Sequence, residues 1–231
     1  MRTTRISRAA LAVAMSVFVL AFAGCQNPFA PPGGGDDDDV EVQYKTRTSP
    51  ENVIYNLNTA YEYMNIEEYL DCLAEEFEFH LAEVDLDDDA TLPEYWGKAT
   101  EQSVHRKMFG IDPVPDPNDE VEQITLTLTT ITYEYNQGAD PDDPMDDRWT
   151  YLMDTDLMVW FPNNLQRRAD ADVEFVFRID PLETGPDGET LYEIIRWEDL
   201  ATAPGGRHST QPVTPDVEET TFGRVKANYL P

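Results

Sequence analysis

Between Trp149 and Ile179 the chain alternates apolar and polar residues twice, on either side of a Pro-Asn-Asn turn. Trp149, Tyr151, Met153, Thr155, Leu157, Val159 and Phe161 share one parity before the turn. After it, Ala169, Ala171, Val173, Phe175, Phe177 and Ile179 alternate with Asp170, Asp172, Glu174 and Arg178. A period of two places each set on one face of a strand, and Pro162-Asn163-Asn164 joins the two strands as a hairpin. A two-stranded ribbon is marginal alone in water. Whatever else folds here must therefore cover its apolar face.

The flanking segments supply the cover. Val121 to Tyr135 starts with Ile124, Leu126 and Leu128 on one parity and ends with Ile131, Tyr133 and Tyr135 on the other. That switch near Thr129 or Thr130 predicts a bulge or a strong bend. Gly185-Pro186-Asp187-Gly188 is a further turn, and Leu191 to Trp197 the last strand. Upstream, Ser49-Pro50 reads as an N-cap followed by proline at the first helical position. Val53, Leu57, Ala60, Tyr61 and Met64 then recur at helical spacing. Asn65 caps a second helix, with Glu68 as its capping-box partner and an apolar face of Ile66, Tyr69, Leu70, Leu73 and Phe77. Phe77, Phe79 and Leu81 alternate with Glu78 and His80 as a short strand, Asp85 to Thr91 reads as an acidic loop, and a third helix is predicted from about Lys98 to Phe109, with Gly110 just past its end. The fold class is α+β: three N-terminal helices packed on one side of a curved, mainly antiparallel sheet.

Three segments carry a family likeness: SPENVIYNLNTAYEYMNIEEYLDCLAEEFEFHL, WGKATEQSVHRKMFG at the third helix, and YEIIRWEDL at the last strand. Together they resemble the nuclear-transport-factor-2-like superfamily, the cystatin-like α+β cone that includes SnoaL-like cyclases and ketosteroid isomerases. The likeness spans Ser49 to Leu200. It implies a pocket between the concave sheet face and the helices. Some members are enzymes and others bind ligands or partners, so the fold leaves function open.

Residues that could carry chemistry are few. Asp154 and Asp156 sit mid-strand, but on the parity of Leu152, Met158 and Trp160, which faces outward. A hairpin centred near Asn164–Leu165 sets Asp156 beside Glu174 and Asp154 diagonal to Arg178. His80, His105 and His208 lack metal-ligand spacing and read as surface or half-buried residues. In DLDDDATLPEYW, Asp85, Asp87 and Asp89 match the first odd positions of a calcium loop, but Ala90 and Trp96 stand where glycine and glutamate are needed. In DPDDPMDD two prolines interrupt the spacing. No metal site, cofactor or catalytic residue is assigned. Trp149, Tyr151, Phe175 and Phe177 are the candidate lining of a pocket.

The N-terminus reads as an address. Arg2, Arg5 and Arg8 precede an apolar run from Ala9 to Ala23, 15 residues broken only by Ser16. A membrane-spanning helix needs about 20 residues, whereas a secretory h-region has this length. The run ends in Phe22-Ala23-Gly24-Cys25, which resembles a bacterial lipobox. That likeness implies cleavage before Cys25, acylation of Cys25, and, with Gln26 next, the outer membrane if the cell has one. The only other cysteine, Cys72, is then left without a partner and reads as a small buried hydrophobe. Asn27 to Asp39, NPFAPPGGGDDDD, cannot build a core. The organisation expected is residues 1–24 signal peptide, 25–48 lipidated cysteine and acidic tether, 49–200 folded domain, and 201–231 linker and tail. In that tail Phe222 and Tyr229 are expected to fold back, with Arg224 and Lys226 meeting acidic surface.

Composition narrows the partners. Lys and Arg number 16 against 46 Asp and Glu, giving a net charge of −30. Phosphate contacts need a basic surface, so nucleic acid is excluded as a partner. With only four Lys, the composition resembles that of salt-adapted proteins. The functions left are a membrane-anchored envelope lipoprotein binding a small apolar ligand or an envelope protein, a SnoaL- or isomerase-like enzyme with an acid–base residue in the cone, and a purely structural envelope protein.

Overall fold

The computed structural model describes residues 42–138, 144–202 and 217–230. The signal peptide, Cys25, the glycine- and aspartate-rich spacer, His208 and the linker of residues 203–216 lie outside the described residues. From Gln43 onward the described elements belong to one unit.

Local rules build the first helices. In α1 (Pro50–Glu62) the Ser49 hydroxyl accepts from the Asn52 N–H, Pro50 takes the first turn, and Val53, Leu57, Ala60 and Tyr61 are buried. In α2 (Ile66–Asp71) the Asn65 side chain accepts from the N–H groups of Glu67 and Glu68. This helix is shorter than its periodicity suggests. Cys72 ends it, and Leu73 and Phe77 belong to β1 (Leu73–His80). The "acidic loop" also differs: α3 (Glu83–Asp88) is helical and turns Asp85 inward. β2 (Tyr95–Gly97) then leads into α4 (Lys98–Met108), after which Gly110 takes a φ of 68°, where glycine is at ease.

The sheet continues through β3 (Gln123–Asn136), β4 (Arg148–Trp160), β5 (Gln166–Thr184) and β6 (Thr190–Asp199). Near the C-terminus come β7 (Val217–Thr220) and α5 (Phe222–Ala227). The strand order is β2-β1-β6-β5-β4-β3, with β7 paired to the start of β5. The β3–β6 meander is antiparallel, while β1 runs parallel to β6 and β7 parallel to β5. The parity switch in β3 is a bulge: pairing with β4 jumps between Thr130 and Thr132 and leaves Ile131 over. The bulge sets Tyr133 opposite Tyr151 and Tyr135 opposite Trp149.

The β4–β5 hairpin is wound more tightly than the sequence suggested. Asp156 lies opposite Asp170 and Asp154 opposite Asp172, not beside Glu174. The tight turn at Pro162–Asn164, closed by the Phe161 N–H on the Leu165 carbonyl, starts the pairing early. The slip is an even number of residues, so the faces are kept. Tyr151, Met153, Leu157, Val159, Val173, Phe175 and Phe177 join Val53, Leu57, Tyr61, Tyr69, Val104 and Met108 in one core. The fold is thus an α+β cone, with helices against the apolar face of a curved, mainly antiparallel sheet. On the opposite face Arg168 makes a bidentate pair with Asp156, Arg196 bonds Glu174, and Arg178 bridges Glu76 and Glu193.

Candidate functional site

Helix α4 places Glu101 and His105 one turn apart, on the stripe that also carries Val104 and Met108, and all four are buried. Around them stand Tyr61 of α1, Tyr69 of α2, Phe79 of β1, Trp96 of β2 and Trp197 of β6, each also buried. The Glu101 carboxylate is fully used. Trp96 Nε1–H donates to Oε2 at 2.6 Å, Tyr69 O–H donates to Oε1, and Lys226 Nζ, reaching in from α5, sits 2.5 Å from the same Oε1. The ammonium also lies 3.8 Å from the Phe79 ring centre, 4.0 Å from Trp197 and 4.9 Å from Phe222. Three aromatic faces and a carboxylate thus enclose one cation.

Hydrogen bonding assigns the His105 tautomer. Nδ1 lies 3.1 Å from the Glu101 carbonyl oxygen, which can only accept, so Nδ1 carries the proton. Nε2 then accepts from the Tyr61 hydroxyl at 2.7 Å, and the ring stacks on Tyr69 with centres 3.9 Å apart. Burial pushes the imidazole pKa down to about 3, so the ring is neutral. Burial alone would raise the Glu101 carboxyl, but the adjacent Lys226 ammonium outweighs it and holds the pKa down to about 2. Desolvation brings Lys226 down to about 8. At neutral pH the centre is a glutamate–lysine ion pair beside a neutral histidine.

The helix that delivers Lys226 is docked at both ends. Its N-cap, Thr221, accepts from the Arg224 N–H at 2.9 Å and donates to the buried Asp85 carboxylate at 2.7 Å. The Gly223 N–H donates to Asp199 at 2.7 Å, and Ala201 N–H donates to the other oxygen at 3.0 Å. A Cβ at Gly223 would stand 2.8 Å from Asp85 Oδ2, so a larger residue here would displace the carboxylate that Thr221 holds. Burial raises the pKa of Asp85 and lifts Asp199 to about 6. Phe222, Val225 and Tyr229 are buried, the Tyr229 hydroxyl donates to the Asp119 carbonyl at 3.0 Å, and Lys107 Nζ donates to the Tyr229 carbonyl at 2.9 Å. Arg224 faces Asp88 and Asp89 at 3.8 Å each. Lys226 meets no surface acid; its partner is in the core.

The four aromatic residues singled out from sequence come together as cross-strand neighbours, Trp149 opposite Phe177 and Tyr151 opposite Phe175. Phe175 and Phe177 have no exposed surface, and Phe175 packs 4.6 Å from Trp197. The Tyr151 hydroxyl donates to Glu51 at 2.6 Å, and Trp149, half-buried, meets Tyr192 edge-on. His80 is half-buried, 3.0 Å from Glu78 and stacked on Tyr95. His105, read as surface or half-buried, belongs instead to the buried centre. Cys72 is buried and burial pushes its thiol pKa up. Among the described residues no group of three or more His, Cys, Asp or Glu is placed to hold a metal ion, and no helix is long and apolar enough to cross a membrane. Sequence reasoning missed Glu101, whose signal was a charged residue on the apolar stripe of a helix. It also missed the core role of Lys226, which had no local signal.

No family model and no curated protein matches the chain. Solved structures do. A conserved protein from Planctomyces limnophilus is 12% identical, with a TM-score of 0.44, covering 65% of this chain and 91% of its own. An NTF2-like protein with a cystatin-like fold from Novosphingobium aromaticivorans is 10% identical, with a TM-score of 0.41, covering 84% and 90%. An NTF2-like protein from Rhodospirillum rubrum is 9% identical, with a TM-score of 0.41, covering 65% and 95%.

Proposed function

We propose that this chain is a lipid-anchored envelope protein whose domain works by binding a partner, not by catalysis. Ala23-Gly24-Cys25 after the h-region supports acylation at Cys25, and the acidic spacer supports a domain held off the membrane on a tether. The observation that carries the non-catalytic reading is the closure of the cone. A general base must come within about 3 Å of the proton it takes, yet Glu101 and His105 have no exposed surface and Lys226 fills the space before them. The same closure weighs against an isomerase-like activity. Phe175 and Phe177 are packed to zero exposure, which supports an outer-surface partner over a small apolar ligand held between them.

Among the described residues an exposed apolar feature of the right kind lies on the side of the sheet that carries Tyr151 and Trp149. β3 is a sheet edge, and past its bulge Ile131, Tyr133 and Tyr135 are 50%, 61% and 51% exposed. Tyr133 stacks on Tyr151 and Tyr135 leans on Trp149. Exposed aromatic residues on a strand at the edge of the described sheet suit recognition of another protein. The test is made in the native host on the full chain. An alkyne-tagged fatty acid should label wild type and not Cys25→Ser, which should leave the membrane fraction; unchanged sedimentation of the variant would refute the anchor. A photo-crosslinking residue at Tyr133 should trap one envelope protein, and absence of any adduct there would refute partner binding at this edge.

A further inference from the structure

Glu101 is held by the body of the domain and not by the tail. Trp96 and Tyr69 fix its two oxygens, and Phe79 and Trp197 flank the space in front of Oε1. All of these residues precede residue 203. What α5 contributes is the ammonium of Lys226, with Phe222 as a further wall. The carboxylate acceptor and two of the three aromatic faces are therefore supplied by residues other than those of α5. Such an arrangement recognises a primary ammonium by charge, hydrogen bonding and cation–π attraction together. α5 itself is short and is joined to β6 through the fourteen residues 203–216 and β7.

We propose that the cone contains a binding site for a primary alkylammonium ion, formed by Glu101, Tyr69, Trp96, Phe79 and Trp197, which the chain occupies in cis with Lys226 and which takes up a free amine once that side chain is cut back. This goes beyond the anchored-partner reading and does not depend on it, since neither Cys25 nor β3 takes part. The ligand chemistry is narrow. A quaternary ammonium has no N–H to give Glu101, and an alcohol has no charge.

Lys226→Ala removes the atoms of n-propylammonium, so that ion is the probe. In the full chain, Lys226→Ala should melt well below wild type. Propylammonium chloride in the millimolar range should raise its melting temperature saturably, beyond equal concentrations of NaCl, tetramethylammonium chloride or propanol. In Lys226→Ala/Glu101→Gln the apparent affinity for propylammonium should fall at least tenfold. Equal rescue by NaCl, or undiminished rescue in the double variant, would overturn the site. Where Lys226→Ala does not fold in plain buffer, refolding from urea with propylammonium replaces the melt. Recovery of the near-ultraviolet signal with the amine and not with NaCl supports the proposal; failure with both overturns it.

Discussion

Lys226 stands in a place where a charge is costly. Desolvating a carboxylate and an ammonium costs several kcal/mol per ion, and their attraction returns it only when the remaining bonds are also made. Here they are, because Trp96 and Tyr69 complete the Glu101 carboxylate. Removing one partner leaves an uncompensated charge. Lys226→Ala is therefore expected to lose about 3–5 kcal/mol in urea unfolding. Lys226→Met with Glu101→Gln keeps the stem and an acceptor for Trp96, and should recover most of that loss. Asp199 bears a different sign. Its folded pKa of about 6 lies above the ordinary 3.8, so its contribution is fully present below about pH 3.8 and is lost as pH rises through 6. Relative to Asp199→Ala, the wild type should thus lose up to about 3 kcal/mol between pH 4 and pH 7, read from urea midpoints. His105 runs the other way. Its pKa falls from 6.5 to about 3 on folding, so its contribution is present above pH 6.5 and is lost on acidification.

Among the elements, those fixed by neighbours in the chain were legible. The Ser49 and Asn65 caps, the end of α4 at Gly110 and the β3 bulge follow from residues a few positions apart. The end of α2 was not, because Leu73 and Phe77 are four apart and satisfy a helix as well as β1; only parallel pairing with β6, more than a hundred residues on, decides it. The hairpin offset failed for a related reason, since a period of two fixes the face and leaves even slips open. At the site, Glu101 could have been found on its stripe, but its partner lies 125 residues away. The docking of α5 is a statement about local unfolding. Trypsin should cut the native chain slowly after Arg224 and Lys226. Phe222→Ala with Tyr229→Ala should expose both bonds and speed cutting at least tenfold; rapid cutting of the wild type would mean the helix is free.

Across the whole molecule, the balance of 46 acids against 16 bases sets a field that individual ion pairs only trim. The Arg168–Asp156 and Arg196–Glu174 pairs on the outer sheet face are partly solvated and contribute about 0–1 kcal/mol each. Screening should therefore help more than it harms. The melting temperature is expected to rise with NaCl up to about 1 M, where the Debye length is near 3 Å; a flat or falling curve would contradict this. The docked C-terminal helix has a last consequence, for the chain while it is being made. Phe79, Glu101 and Trp197 emerge from the ribosome before the residue that neutralises one of them and the ring that covers the others. A nascent chain that stops short of residue 226 lacks the cation that pairs with Glu101. A stop codon at 222 would remove α5 and with it the cation that pairs with Glu101 and the ring of Phe222.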